Sequence, residues 1–197
     1  MLKNKNKNGY TIIETMIAVS LFLVVTMAGM TALLNANLVQ KKTQNMRSVM
    51  DSLNFIVEDM SRNLRVGYNY HCISSGGVSG QITEPQSCLS GGVIAFESDL
   101  GNPALDNDQW MYKIESPDGF QPFNIYKSVD SGANWVQLNP SEITIDPSSF
   151  FSVSGAEAPP DTDQPFVTIK LKGNITFKNI VTPFSIRTAV SQRVIDI

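Results

Sequence analysis

The chain has 197 residues, a formal net charge of −3 and two cysteines. This length allows one domain of ordinary size together with an anchoring helix, and it excludes a large multidomain enzyme. The acidic balance argues against nucleic-acid binding, because phosphate recognition depends on clustered Lys and Arg. Beyond the first eight residues, the basic residues are scattered along the sequence.

The N-terminal region combines a short basic stretch with a long apolar run. Lys3, Lys5 and Lys7 alternate with polar residues, and no charged residue occurs from Thr15 to Leu34. A helix needs about 20 apolar residues to cross a hydrocarbon core of about 30 Å, so this run predicts a membrane-spanning helix. The run is longer than the apolar core of a cleaved secretory signal, which has about 7–15 residues. The lysines before it outnumber those after it, which favours a cytoplasmic N-terminus.

Glu14 stands at the beginning of this apolar run. A carboxylate at the edge of a membrane is costly unless a cation pairs with it, so its presence indicates a function. The alternative is that Glu14 reaches the lipid headgroups at the end of an uncleaved anchor.

The residues around Glu14 form a recognisable pattern. Gly9-Tyr10-Thr11-Ile12-Ile13-Glu14, preceded by a basic stretch, resembles the processing site of type IV prepilins and type II secretion pseudopilins. The resemblance implies that prepilin peptidase cuts between Gly9 and Tyr10 and that Tyr10 is N-methylated, although Phe is usual at that position. It also implies that Glu14 neutralises the amino terminus of a neighbouring subunit during assembly.

The resemblance extends to a localisation and a set of partners. It implies a single-pass protein of the bacterial cytoplasmic membrane with an extracytoplasmic head, extracted into a filament. Its partners would be other pilin or pseudopilin subunits, an inner-membrane assembly platform and membrane lipid. The segments SLNFIVEDMSRNLR, YKSVDSGANWVQLN and SIRTAVSQR resemble J-type pseudopilins and W-type minor pilins, which implies a minor subunit that initiates or caps a filament.

The helix is predicted to continue beyond the membrane to about Val66. Apolar residues recur there at alternating spacings of four and three, which places them along one side of a helix. They are Met46, Met50, Leu53, Val57, Met60 and Leu64. We expect this apolar stripe to pack against the protein's own head.

Gly67 is expected to end the helix, and the Gly- and Ser-rich residues 67–92 are predicted to form a loop. Cys72 and Cys88 lie within it. In an oxidising compartment, a disulfide across this spacing would stabilise the fold by about 3 kcal/mol. The alternative is two unpaired thiols in a cytosolic protein.

The remainder of the chain indicates an antiparallel β-sheet head. Short β-type runs with turn residues between them are predicted at Val93–Phe96, Trp110–Glu115, Asn124–Val129, Trp135–Leu138, Ile143–Ile145, Phe166–Leu171 and Phe184–Val194. The predicted fold class is therefore α+β, a long N-terminal helix whose second half packs on an antiparallel sheet. The expected divisions are a leader at 1–9, a transmembrane and filament-core helix at 10–35, its amphipathic continuation at 36–66, the loop at 67–92 and the head at 93–197.

No catalytic residue, cofactor or metal site is predicted. The sequence has one histidine, His71, and Asp106-Asn107-Asp108 fits a turn better than a calcium loop. The leading hypothesis is a non-enzymatic minor pilin or pseudopilin of a type IV pilus, a type II secretion pseudopilus or a DNA-uptake filament. The alternatives are a tip module that binds a surface or DNA, DNA being expected only as uptake cargo, and a major subunit of the same filament class.

Overall fold

The computed structural model describes residues 9–73, 84–102, 105, 107–117, 122–157, 163–177 and 180–193. The chain divides into two compact units, Met1–Asn45 and Met46–Ile197, which are treated separately. The described residues form one helix, α1 (Ile12–Val66), and ten strands. The strands are β1 (Tyr68–Ile73), β2 (Cys88–Gly91), β3 (Val93–Glu97), β4 (Trp110–Glu115), β5 (Asn124–Ser128), β6 (Val136–Gln137), β7 (Ile143–Ile145), β8 (Phe150–Ser154), β9 (Phe166–Phe177) and β10 (Ile180–Ser191).

The second unit contains two antiparallel sheets. One has the strand order β1-β3-β4-β5-β6, and the other has the order β10-β9-β8-β2, with β7 also paired to β9. Every pairing between these strands is antiparallel. The predicted antiparallel head is confirmed.

The longest pairing joins β9 and β10, which run together for twelve residues each, from Phe166 opposite Ser191 to Phe177 opposite Ile180. In β9 the residues at odd-numbered positions from Val167 to Ile175 are buried and most of those between them are accessible. This alternation is the two-residue period of a strand with one face on a core.

The second half of α1 lies on the core of the same unit. Leu53, Ile56, Met60 and Leu64 are buried and pack with inward-facing residues of both sheets. The predicted stripe is confirmed, with Ile56 buried more deeply than Val57, because the true helical period of 3.6 residues brings Ile56 nearer the centre of the face. The α+β fold class is confirmed.

The prediction of a loop over residues 67–92 is wrong at both ends of that range. Strand β1 directly follows the helix and pairs with β3, and β2 pairs with β8. In β1, Tyr70 and Cys72 point inward between more accessible neighbours, so it has the pattern of a half-buried strand. The Gly- and Ser-rich residues between the two strands, 74–83, lie outside the described residues.

Two further strand predictions differ from the structure. Strand β8 lies in a segment without a predicted strand, and the last strand begins at Ile180 rather than Phe184. Pro183 falls inside it, where a proline would normally argue against a strand. The proline is tolerated because β10 is the end strand of its sheet.

Cys72 and Cys88 form a disulfide, with Cα atoms 5.6 Å apart. Cys72 belongs to β1 and Cys88 to β2, so the bond joins one sheet to the other. The predicted pairing is confirmed, and it closes a covalent link across the head.

Candidate processing and assembly site

Thr11 precedes the first residue of α1 and caps its N-terminus. The backbone N–H of Glu14 donates a hydrogen bond to the Thr11 hydroxyl at 3.3 Å, and the N–H of Thr15 donates to the Thr11 carbonyl at 3.2 Å. Threonine followed three residues later by glutamate is the capping-box spacing. The sequence contains this signal, although no role was predicted for Thr11.

Glu14 lies in the first turn of the helix, where the positive end of the helix dipole favours a carboxylate. Its side chain is exposed, and it forms no ion pair with any other residue in the described part of the chain. The helix therefore presents an exposed carboxylate in its capped first turn, beside an apolar surface.

Gly9 has no structural reason to be glycine. A Cβ built on it would meet nothing within 4 Å, and its backbone is not in the left-handed region. Gly67 differs, since a Cβ there would collide with the Phe96 ring. Because the fold does not require glycine at position 9, any requirement for it comes from outside the folded chain. Tyr10 is also open, with 82% of its surface exposed.

The N-terminal half of α1 has the length and composition to cross a membrane. One helix among the described residues meets this test, with a mean hydropathy of 2.3 over its most apolar 18-residue window and none of that window buried. The exposed side chains include Ile13, Phe22, Val25 and Leu33. Such a surface is stable when lipid or other apolar helices cover it.

The few hydroxyl groups in this apolar segment bond to their own helix. Thr15 donates to the Ile12 carbonyl at 2.8 Å, and Ser20 donates to the Ile17 carbonyl at 2.9 Å. The hydroxyls of Thr26 and Thr31 donate in the same way to the carbonyls of Leu23 and Met27. A hydroxyl satisfied within its own helix carries little penalty in an apolar medium.

A polar cluster fixes the second half of α1 on the sheet. The Lys127 ammonium lies 3.0 Å from the Asp59 carboxylate, and the Tyr112 hydroxyl donates to the same carboxylate at 3.2 Å. The Asn63 side-chain amide donates to the Tyr112 hydroxyl at 2.9 Å. Burial raises the pKa of Tyr112, so this hydroxyl remains protonated and able to donate. This cluster was not predicted, because its members are far apart in the chain.

Tyr70 holds the end of the helix. Its buried hydroxyl lies within hydrogen-bond distance of the carbonyl oxygens of Leu64 and Gly67, 2.7 Å from the latter. The Leu64 carbonyl belongs to the last turn and the Gly67 carbonyl directly follows the helix, where no further helical N–H is available to bond them. Burial raises the pKa of Tyr70, which keeps its proton in place. The helix end and strand β1 are therefore joined by one side chain.

Within the described ranges, no group of three or more His, Cys, Asp or Glu residues is placed to hold a metal ion. Asp106, in the segment whose sequence fits a turn better than a calcium loop, lies outside those ranges. His71 belongs to β1 and its Nδ1 lies 2.7 Å from the Glu84 carbonyl oxygen.

Comparison with known families supports the N-terminal interpretation. Residues 4–30 match the family described as the prokaryotic N-terminal methylation motif. The match spans Gly9, Tyr10 and Glu14 and continues into the apolar helix. No curated protein and no solved structure matches the chain significantly. The motif supports a type IV pilin-like subunit, anchored in a membrane by its N-terminal helix, and implies processing by prepilin peptidase and assembly with other pilin subunits.

Proposed function

We propose that this chain is a minor pilin or pseudopilin, a non-enzymatic structural subunit that initiates or caps a type IV pilus, a type II secretion pseudopilus or a DNA-uptake filament. The observation that carries the proposal is the methylation motif at residues 4–30, continuous with an apolar helix whose surface is exposed.

Cleavage between Gly9 and Tyr10 is the first step of the proposed function. The motif match supports the position, and the open environment of Gly9 supports recognition by an external peptidase rather than a role in folding. Removal of residues 1–9 would give a new amino terminus at Tyr10, four residues before Glu14, and methylation would keep it basic.

Glu14 is the proposed assembly residue. As a subunit enters the filament, its Glu14 carboxylate meets the terminal ammonium of a neighbour among apolar helices. In a medium of low dielectric constant this attraction is strong, although desolvation offsets part of it. The pair therefore acts mainly by fixing the axial register between neighbouring helices, since a displaced subunit would leave both charges buried and unpaired.

A minor rather than major role is favoured by the three segments that resemble minor subunits and by the size of the head. The proposed partners are prepilin peptidase, the inner-membrane assembly platform and other filament subunits. The proposed topology has the N-terminus in the cytoplasm before cleavage and the head outside it.

The processing step is tested by expressing the chain with a prepilin peptidase and determining the N-terminal peptide by mass spectrometry. We expect the wild type to begin at N-methylated Tyr10, and Gly9→Ala to retain residues 1–9. Gly29→Ala is the matched control, because a Cβ at Gly29 also meets nothing within 4 Å. A wild-type chain that keeps its first nine residues in the presence of an active peptidase would contradict the proposal.

The assembly step is tested by Glu14→Gln in a strain that makes the filament. We expect this variant to be processed and retained in the membrane but lost from sheared filaments. Glu58→Gln, which neutralises an exposed acid on the same helix outside the apolar segment, is the control and should enter filaments normally. Equal amounts of both variants in sheared filaments would rule out the role of Glu14.

A further inference from the structure

We propose that the outer edge and solvent face of the β9–β10 ribbon bind an extended acidic segment of a neighbouring filament subunit, which adds to the sheet as a strand beside β10. The identity of the donor as a filament subunit rests on the proposed function, whereas the chemistry of the segment is derived from the ribbon itself.

Among the described residues, strand β10 pairs along one edge only. It ends the order β10-β9-β8-β2, and its twelve residues make it the longest end strand in the described part of the head. The end strands of the other sheet are β1, with six residues, and β6, with two. A long edge strand without a partner offers unpaired backbone groups to another chain.

The backbone groups on the open side of β10 can be assigned. Gln192 donates its N–H to the Pro165 carbonyl at 3.1 Å, which continues the β9–β10 register, so even-numbered residues bond toward β9. Pro183, which has no N–H, accordingly stands at an odd-numbered position. The N–H groups of Val181, Ser185, Arg187 and Ala189 therefore point toward the open edge.

One of these outward N–H positions is already used at the end of the ribbon. Arg193 donates its N–H to the Arg65 carbonyl at 2.8 Å, at the last turn of α1. No hydrogen bond of this kind joins the outward N–H groups between Val181 and Ser191 to other described residues. In the described structure, the outer edge of β10 is therefore bonded to α1 at Arg193 and open from Val181 to Ser191.

The solvent face of the same ribbon is basic. Arg187 is directly opposite Lys170, and Ser185 is opposite Lys172, so the three cations are neighbours on one face. The ammonium of Lys170 lies 4.9 Å from the centre of the Phe150 ring. Hydrogen bonds from Ser148 lower the pKa of the Asp146 carboxyl, and the nearby charge of Lys172 adds a smaller part to that lowering. None of the three forms an ion pair within the described ranges. Like charges directly opposite each other destabilise a sheet unless an anion neutralises them.

This basic face contrasts with the rest of the head. Residues 84–165 contain thirteen Asp and Glu against two Lys, whereas residues 166–193 contain five Lys and Arg and no acid. Most of the basic residues that follow α1 are therefore on or beside one pair of strands. The segregation of charge identifies the ribbon as the surface that attracts acidic chains, including acidic segments of the kind found in this head.

The two features together define the ligand. An open strand edge is completed only by the backbone of an extended peptide, and alternate side chains of that peptide would lie over the basic face. A nucleic acid or an anionic lipid would neutralise the cations, but it would leave the outward N–H groups of β10 without hydrogen-bond acceptors in a strand pairing. An acidic extended peptide satisfies both.

The first test measures peptide binding to the full chain in non-ionic detergent micelles by fluorescence anisotropy. The probe is a labelled ten-residue peptide of alternating Thr and Glu. Two matched peptides separate the contributions: one replaces every Glu by Lys, and one keeps the sequence but carries a methyl group on every backbone nitrogen. We expect only the unmodified acidic peptide to bind, more weakly at higher salt because exposed charges are screened.

The second test changes the protein. Arg187→Gln should weaken binding by up to about fivefold, the effect expected for one exposed ion pair. Ala189→Pro removes an outward N–H without removing a bond to β9, and it should weaken binding by about tenfold or more by blocking the edge. Leu89→Glu, in β2 at the opposite end of the same sheet, changes the net charge by the same amount as Arg187→Gln and should bind as the wild type does.

The outcomes discriminate between the possibilities. Equal binding of the N-methylated peptide, or tighter binding of a mixed-sequence duplex DNA than of the acidic peptide, would show a non-specific anion surface and overturn the proposal. Absence of binding by the acidic peptide would also overturn it. Because these measurements use the unmodified chain, a folding defect in a variant does not affect them. Failure here leaves the cleavage and filament-entry results standing, so it is distinguishable from failure of the proposed function.

Discussion

Removal of the Cys72–Cys88 disulfide is expected to destabilise the head strongly. The two cysteines are 16 residues apart, and loop-closure entropy for a loop of that length corresponds to about 3 kcal/mol at 25 °C. For a domain of about 150–250 residues, each kcal/mol lowers the melting temperature by about 2–4 °C. The Cys72→Ala, Cys88→Ala double variant should therefore melt about 6–12 °C below the wild type.

The assay is thermal unfolding of the full chain in detergent, followed by near-ultraviolet circular dichroism, since detergent preserves the membrane helix while the aromatic signal reports the head. Wild type treated with a reductant keeps both sulfur atoms and loses only the bond, so it separates the cross-link from the packing of the buried Cys72 side chain. The reductant should not affect the double variant. If reduced and oxidised wild type melt within about 1 °C of each other, the cross-link does not contribute the expected entropy.

Three further changes test contacts within the head. Tyr70→Phe removes the hydroxyl between the carbonyls of Leu64 and Gly67, and it should lower the free energy of unfolding by about 1–3 kcal/mol. An unchanged midpoint in chemical unfolding would show that this hydroxyl does not stabilise the end of the helix. The pKa of Asp130 is lowered from 3.8 to about 2 by hydrogen bonds that its carboxylate accepts. Because the folded value is the lower one, its stabilisation is present above about pH 4 and is lost as the pH falls toward 2. Asp130→Asn should therefore lose less stability than the wild type as the pH falls from about 4 toward 2. If the stability of variant and wild type falls in parallel over this range, Asp130 does not make this contribution. Gly173→Ala places a Cβ against the Thr144 carbonyl oxygen of β7 and the Phe184 ring. The free energy of unfolding should therefore fall by about 1–3 kcal/mol or more. Wild-type stability in this variant would show that β7 and β9 can move apart to admit the methyl group.

The long helix and the β-class of the head could be predicted because each depends on local patterns. The charge-free run from Thr15 to Leu34 and the apolar stripe from Met46 to Leu64 are periodic, and α1 ends at Val66, immediately before the glycine that was expected to stop it. The turn residues predicted between Asn124–Val129 and Trp135–Leu138 include Asp130–Ala133, which lies between β5 and β6. Periodicity and turn chemistry depend on residues that are close in the sequence, so they can be recognised without knowledge of the tertiary structure.

The features that were missed depend on distant parts of the chain. Strand β1 is stabilised by its pairing with β3 and by the inward packing of Tyr70, and neither is visible in the Gly- and Ser-rich composition that favoured a loop. The contact between Asp59 and Lys127 joins residues 68 positions apart. The basic face of β9 and β10 depended on register, because only the pairing of Arg187 with Lys170 shows that the charges share one face.

The self-bonded hydroxyls of the N-terminal helix affect how such a subunit could move between environments. Thr15, Ser20, Thr26 and Thr31 each donate to a carbonyl within one turn, so none requires a partner in the surrounding medium. In the proposed filament, the helix would leave lipid and pack among other helices without breaking or remaking these bonds. The exchange is then one apolar neighbour for another, and these four hydroxyls add no polar cost to it.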